Sequence, residues 1–107
     1  MASKINFTFD GQDYCLEYTK HSVKTMEERG FVPQKILEAP MSNLPELFAG
    51  AFLANHKYTR RDVIDKIYEK MTNKQELVNI LIEMYNEPIK ALTEDTDEGN
   101  GIAWTRG

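Results

Sequence analysis

Ile5-Asn6-Phe7-Thr8-Phe9-Asp10-Gly11-Gln12-Asp13-Tyr14-Cys15-Leu16-Glu17-Tyr18 is the stretch whose reading decides the fold class. Ile5, Phe7 and Phe9 alternate with Asn6, Thr8 and Asp10, and Tyr14, Leu16 and Tyr18 alternate with Cys15, Glu17 and Thr19. Alternation of period two places one set of side chains on one face of a strand. Asp10-Gly11 lies between the two runs, and Asp-Gly accepts the positive φ that a type I′ turn demands. The spacing predicts a β-hairpin over residues 4–18. Two strands alone are marginal in water, so the face carrying Phe7, Phe9, Leu16 and Tyr18 requires a lid.

The rest of the chain reads as helices that supply it. Thr19 is placed to cap a helix over about 20–29. Gly30 can end that helix in a Schellman turn, with Phe31 folded back onto Met26. Gln34 to Glu38 reads as one or two helical turns, kept short by Pro40, which biases Ala39 away from helix. Ser42 or Asn43 is expected to cap the next helix, about 43–56, with Pro45 in its first turn. Thr59 and Thr72 are expected to cap helices over about 60–71 and 74–93, with Asp62 and Gln75 as the reaching partners. Pro88 removes a backbone donor from the last of these, and a kink near Met84 is expected.

Leu47-Phe48-Ala49-Gly50-Ala51-Phe52-Leu53-Ala54 is an unbroken apolar and small-residue run inside the 43–56 helix. With Leu44, apolar groups fall at 44, 47, 48, 51 and 52, and Leu53 and Ala54 widen that face. A helix so nearly apolar all round must be covered on most sides, by its own domain or by a partner. From Thr93 the composition changes to acidic and glycine-containing, ending in Ile102-Ala103-Trp104 with the only tryptophan. The chain is therefore expected to be α+β: an N-terminal two-stranded antiparallel β-hairpin, then a bundle of about four helices. These form one domain over 1–93, followed by a mobile acidic tail over 94–107.

Bulk properties exclude several classes. At 107 residues the chain suits one modest core, burying roughly 65% of the unfolded surface. A net charge of −4 argues against a binder that relies on phosphate neutralisation. Lys57, Arg60, Arg61, Lys66, Lys70 and Lys74 interleave with Asp62, Asp65 and Glu69, which reads as a solvated, ion-paired face. The longest apolar run is far below the roughly 18 residues of a spanning helix, so a soluble intracellular protein is expected. The single cysteine, Cys15, has no partner for an internal disulfide and no basic neighbour in sequence to activate it. His21 and His56 have no metal-ligand spacing, and His56 suits the C-terminal end of a helix dipole. No catalytic residue, metal or cofactor is expected.

Several segments together resemble a family of small phage and prophage proteins of Gram-positive bacteria, encoded among tail genes. They are Phe7-Thr8-Phe9-Asp10-Gly11-Gln12-Asp13-Tyr14, Glu27-Glu28-Arg29-Gly30-Phe31, the run from Leu47 to Lys57, Met84-Tyr85-Asn86-Glu87-Pro88-Ile89, and the Gly99-Asn100 to Trp104-Thr105 tail. In size and looks the family is similar to tail assembly chaperones. The resemblance implies a non-enzymatic protein in the cytoplasm of a bacterial host, holding a tail-tube subunit or tape-measure protein before polymerisation. Phe48, Phe52 and Leu53 are then the partner-binding candidates, with Trp104 a second contact. Two other readings stay open: a minor tail or head-completion component of the virion, and a small regulatory or host-directed binding protein. A homo-oligomer is also open; nucleic acid and membrane are not expected as partners.

Overall fold

The structure, a computed structural model, describes residues 3–94 and 101–107. Two strands, β1 (Ile5–Phe9) and β2 (Gln12–Leu16), pair antiparallel in the register Ile5↔Leu16, Phe7↔Tyr14 and Phe9↔Gln12. Asp10 and Gly11 make the two-residue turn with φ of 50° and 76°, as the Asp-Gly signal required. Across the hairpin Thr8 Oγ1 donates to Asp13 Oδ1 at 2.7 Å. The hairpin is shorter than the 4–18 expected, because beyond Leu16 the chain leaves the ladder. Glu17 N–H donates instead to the carbonyl of Ala51 at 3.2 Å.

Five helices follow among the described residues: α1 (Lys20–Glu28), α2 (Lys35–Glu38), α3 (Pro40–Gly50), α4 (Arg61–Lys70) and α5 (Lys74–Ala91). Thr19 caps α1, accepting from Ser22 N–H while Ser22 Oγ accepts from Thr19 N–H. At the other end Phe31 N–H donates to Met26 O at 3.0 Å and Gly30 N–H to Glu27 O at 2.9 Å, with Gly30 at φ 95°. That pair of bonds is the expected Schellman ending.

The α3 boundaries differ from the sequence reading at both ends. The helix starts at Pro40 rather than after Ser42 or Asn43, because proline at the first helical position gives up a donor that has no partner there. Asn43 Nδ2 donates instead to the carbonyls of Ala39 and Lys35. The helix stops at Gly50 rather than 56. The N–H groups of Ala51, Phe52 and Leu53 bond three residues back, tightening the chain into turns, while the carbonyl of Ala51 is taken by Glu17. Two expected caps are also corrected. The residue before α4 is Arg60, because the Asp62 carboxylate accepts from Val63 N–H and from Arg60 rather than reaching back to Thr59. The residue before α5 is Asn73 at φ 54°, not Thr72, and its side chain donates to Glu76.

One core joins all of this. Leu16 and Tyr14 from β2, Tyr18, Val23 and Met26 from the α1 region, and Leu47 and Phe48 from α3 meet Ala51 and Phe52 from the turn. Ile64 and Ile67 of α4 and Leu77, Leu81, Met84 and Tyr85 of α5 close it. Gly50 packs where α1 crosses α3, and a Cβ there would run into the Met26 side chain. α5 continues as one helix through Pro88. The expected acidic stretch falls, for residues 95–100, outside the described residues; residues 101–107 are exposed and without regular structure.

Candidate functional site

The apolar run is consumed by its own domain. Phe48 is 0% exposed and Phe52 is 1% exposed, so the expectation that they face a partner is corrected. The physical reason is aromatic layering. Phe7 stacks on Tyr14 at 5.2 Å, Tyr14 meets Phe52 edge-on at 5.7 Å, Phe52 meets Phe48 at 5.3 Å, and Phe48 meets Tyr68 at 5.0 Å. Such pairs add about 0.5–1.5 kcal/mol each beyond area burial, which favours filling the interior with these rings over leaving them to a partner. Leu53 is half-buried against that core. Trp104 stands apart from the other three candidates and is 83% exposed, with Ile102 beside it also in solvent.

The hairpin is where the domain stops short of covering itself. Cys15 N–H donates outward to His56 Nε2 at 3.0 Å, and Cys15 O accepts from Asn55 Nδ2 at 3.1 Å. With Glu17 N–H on Ala51 O, the outer edge of β2 is closed at Cys15 and Glu17 by the turn that follows α3, and open at Asp13 next to the hairpin turn. Because Cys15 points its amide away from β1, Asn6↔Cys15 is a non-bonded pair of the ladder. Asn6 and Thr8 therefore turn their own backbone N–H and C=O groups away from β2, along the outer edge of β1. No backbone or side-chain partner meets those groups among the described residues.

The side chains tell the same story. On β2, Leu16 is 0% and Tyr14 is 5% exposed, whereas Ile5, Phe7 and Phe9 on β1 are only half-buried. The helical lid covers one strand of the two and leaves an apolar overhang beside an open edge. Between Ile5 and Phe9 there is no proline, no charge and no bulge. Those are the usual devices that blunt an edge strand.

Sequence reasoning missed this because alternation reports which face a strand buries and not how far a lid extends across it. It also assigned His56 to a helix dipole, whereas the helix ends earlier and the imidazole serves as a hydrogen-bond acceptor. His56 and His21 line one open cleft with Arg29, Lys57 and Tyr58, between the hairpin turn and α1. Ser22, in the same cleft, is committed to capping α1. Among the described residues no group of three or more His, Cys, Asp or Glu could hold a metal ion. Two of the six interleaved basic residues are ion-paired among the described residues: Arg60 with Asp62 at 2.8 Å, and Arg61 with Asp65 at 2.9 Å and with Glu46 at 3.0 Å. Leu37 and Met41, at the α2–α3 corner, are exposed and were not singled out by the sequence.

A two-stranded hairpin laid on a small helical bundle, with one strand edge partly closed and the other open, defines the class of this molecule. The chain belongs to the family described as domain of unknown function (DUF5055), whose model matches residues 1–107. No curated protein and no solved structure matches it. This match corrects the labels phage, prophage, tail assembly, chaperone and cytoplasmic that the resemblance implied. The family that covers the whole chain is described by none of them, and what stands of that expectation is the α+β fold. Among the described residues no helix is long and apolar enough to cross a membrane.

Proposed function

We propose that the protein is a non-enzymatic binding protein that captures an extended segment of another chain along the outer edge of β1. The observation that carries this reading is the asymmetry of the hairpin: β2 is closed at Cys15 and Glu17 by Asn55, His56 and Ala51, while β1 is open along its length beside half-buried Ile5, Phe7 and Phe9. Strand addition supplies both needs at once. Main-chain bonds satisfy Asn6 and Thr8, and alternate side chains of the guest cover the overhang. Each apolar side chain that an added strand covers contributes roughly 25 cal/mol per Å² removed from water. The exposed pair Ile102 and Trp104 favours a second, separate contact from the C-terminal segment.

A display library of short linear peptides, selected on the whole protein and compared on Asn6→Pro, tests the reading. Proline at position 6 removes an outward N–H, leaves the bonded pairs to β2 in place and suits an edge strand. Peptides with alternating apolar residues that bind the parent and not Asn6→Pro are expected. Peptides that bind both equally contradict it.

A further inference from the structure

We propose that the strand which fills the open edge of β1 is β1 of a second copy, running antiparallel and centred on Phe7. Two hairpins then join into one four-stranded sheet. This rests on the strand-capture reading above and names the strand captured.

The register follows from the parity of the edge. Only Asn6 and Thr8 within β1 point their backbone groups outward, so the seam is bonded at these positions, and both are used within β1 at once when each faces the other. Centring on Phe7 sets Asn6 opposite Thr8 of the second copy, and Thr8 opposite its Asn6, with the whole of Ile5–Phe9 overlapped. Each such pair exchanges both of its backbone bonds. On the core face, Ile5 then opposes Phe9 of the second copy and Phe7 opposes its own counterpart. The half-buried side chains of the two overhangs therefore cover one another. On the other face Lys4, half exposed and 3.8 Å from Glu17 of its own chain, is brought opposite Asp10 of the second copy, twice over by symmetry. Shifting the seam by two residues in one direction sets Phe9 against Ser3, and in the other sets Ile5 against Gly11. Either shift also separates Lys4 from Asp10. All of these registers satisfy a two-fold contact, and the one centred on Phe7 alone overlaps the whole of Ile5–Phe9 and brings Lys4 to Asp10. A two-fold axis normal to the sheet keeps the helices of both copies on the same side.

The test uses the full chain. Light scattering behind a sizing column is expected to give twice the monomer mass for the parent and the monomer mass for Asn6→Pro. Amide exchange on the unmodified protein is expected to slow by more than about tenfold at Asn6 and Thr8 between dilute and concentrated samples. On a Cys15→Ser background, Phe7→Cys should oxidise to a covalent dimer, because facing residues of a non-bonded antiparallel pair sit about 4.5 Å apart at Cα. Phe9→Cys should not, since the two copies of position 9 stand roughly 13 Å apart. A monomer at every concentration with fast exchange at Asn6 and Thr8 overturns the second copy as the occupant. It leaves strand capture to the peptide comparison. A dimer that survives Asn6→Pro, or that cross-links through Phe9→Cys and not Phe7→Cys, overturns the seam.

Discussion

His56 Nε2 accepts the backbone N–H of Cys15 at 3.0 Å, so a residue from the turn after α3 closes the edge of a strand 41 residues earlier. The bond fixes the imidazole with its proton on Nδ1, because Nε2 is the acceptor. The ring also packs against Tyr14, 5.1 Å between centroids. Packing and hydrogen bonding at this position can be separated by substitution. His56→Phe keeps a ring against Tyr14 and leaves the Cys15 amide without its acceptor, so a loss of about 1–3 kcal/mol is expected in urea unfolding. A variant as stable as the parent would mean that the amide does not depend on His56.

Two buried tyrosines should answer differently to loss of the hydroxyl. Tyr18 Oη donates to Leu47 O at 2.6 Å, while Tyr85 Oη is buried with no hydrogen-bond partner among the described residues. Tyr18→Phe should cost about 1 kcal/mol, and Tyr85→Phe should be neutral or stabilising by up to about 1 kcal/mol. Denaturant midpoints of the pair check the contrast; equal losses would contradict it.

Alkaline solution should unfold the protein by way of its phenols. Burial raises the ionisation of Tyr18 well above its ordinary value of 10.0, with Tyr85 adding to it. Burial also raises Tyr68, and burial together with Glu27 raises Tyr85. Above pH 10 the folded state holds protons that the unfolded chain releases, so stability present below that pH falls as pH rises through it. Phenolate absorbance followed alongside circular dichroism should show these tyrosines ionising together with loss of helix. Their ionisation in a fully helical protein would contradict the burial.

Gly50 lies where Met26 leaves no room for a methyl group. Alanine there gains about 1 kcal/mol of helix propensity, yet the displaced Met26 side chain should cost about 1–3 kcal/mol. Gly50→Ala is therefore expected to destabilise the parent and to stabilise Met26→Ala, where the obstruction is gone. Thermal melts of the four proteins of that cycle decide it, and additive effects would show that the two positions do not touch.

Much of this architecture is written locally in the chain. Alternation over residues 5–18 and the Asp10-Gly11 pair specify the hairpin, and Met26, Gly30 and Phe31 specify the end of α1, because turn chemistry and periodicity act within a few residues. The end of α3 is not local. Gly50 to Ala54 would continue a helix on propensity, and it is Glu17, far away in sequence, that takes the Ala51 carbonyl. The candidate site was misplaced for the same reason. Phe48 and Phe52 advertise apolar surface equally well whether the domain or a partner covers it, and only the packed aromatic layer decides in favour of the domain. The open edge at Asn6 and Thr8 becomes visible once the extent of the lid over β1 and β2 is known.

Residue-resolved amide exchange, on the full chain with and without a saturating concentration of a selected peptide, tests the central claim most directly. Strand capture on β1 predicts that the Asn6 and Thr8 amides become protected when the peptide binds, while amides at the α2–α3 corner are unchanged. Tight binding with Asn6 and Thr8 still exchanging freely would contradict it and place the interaction surface elsewhere on the molecule.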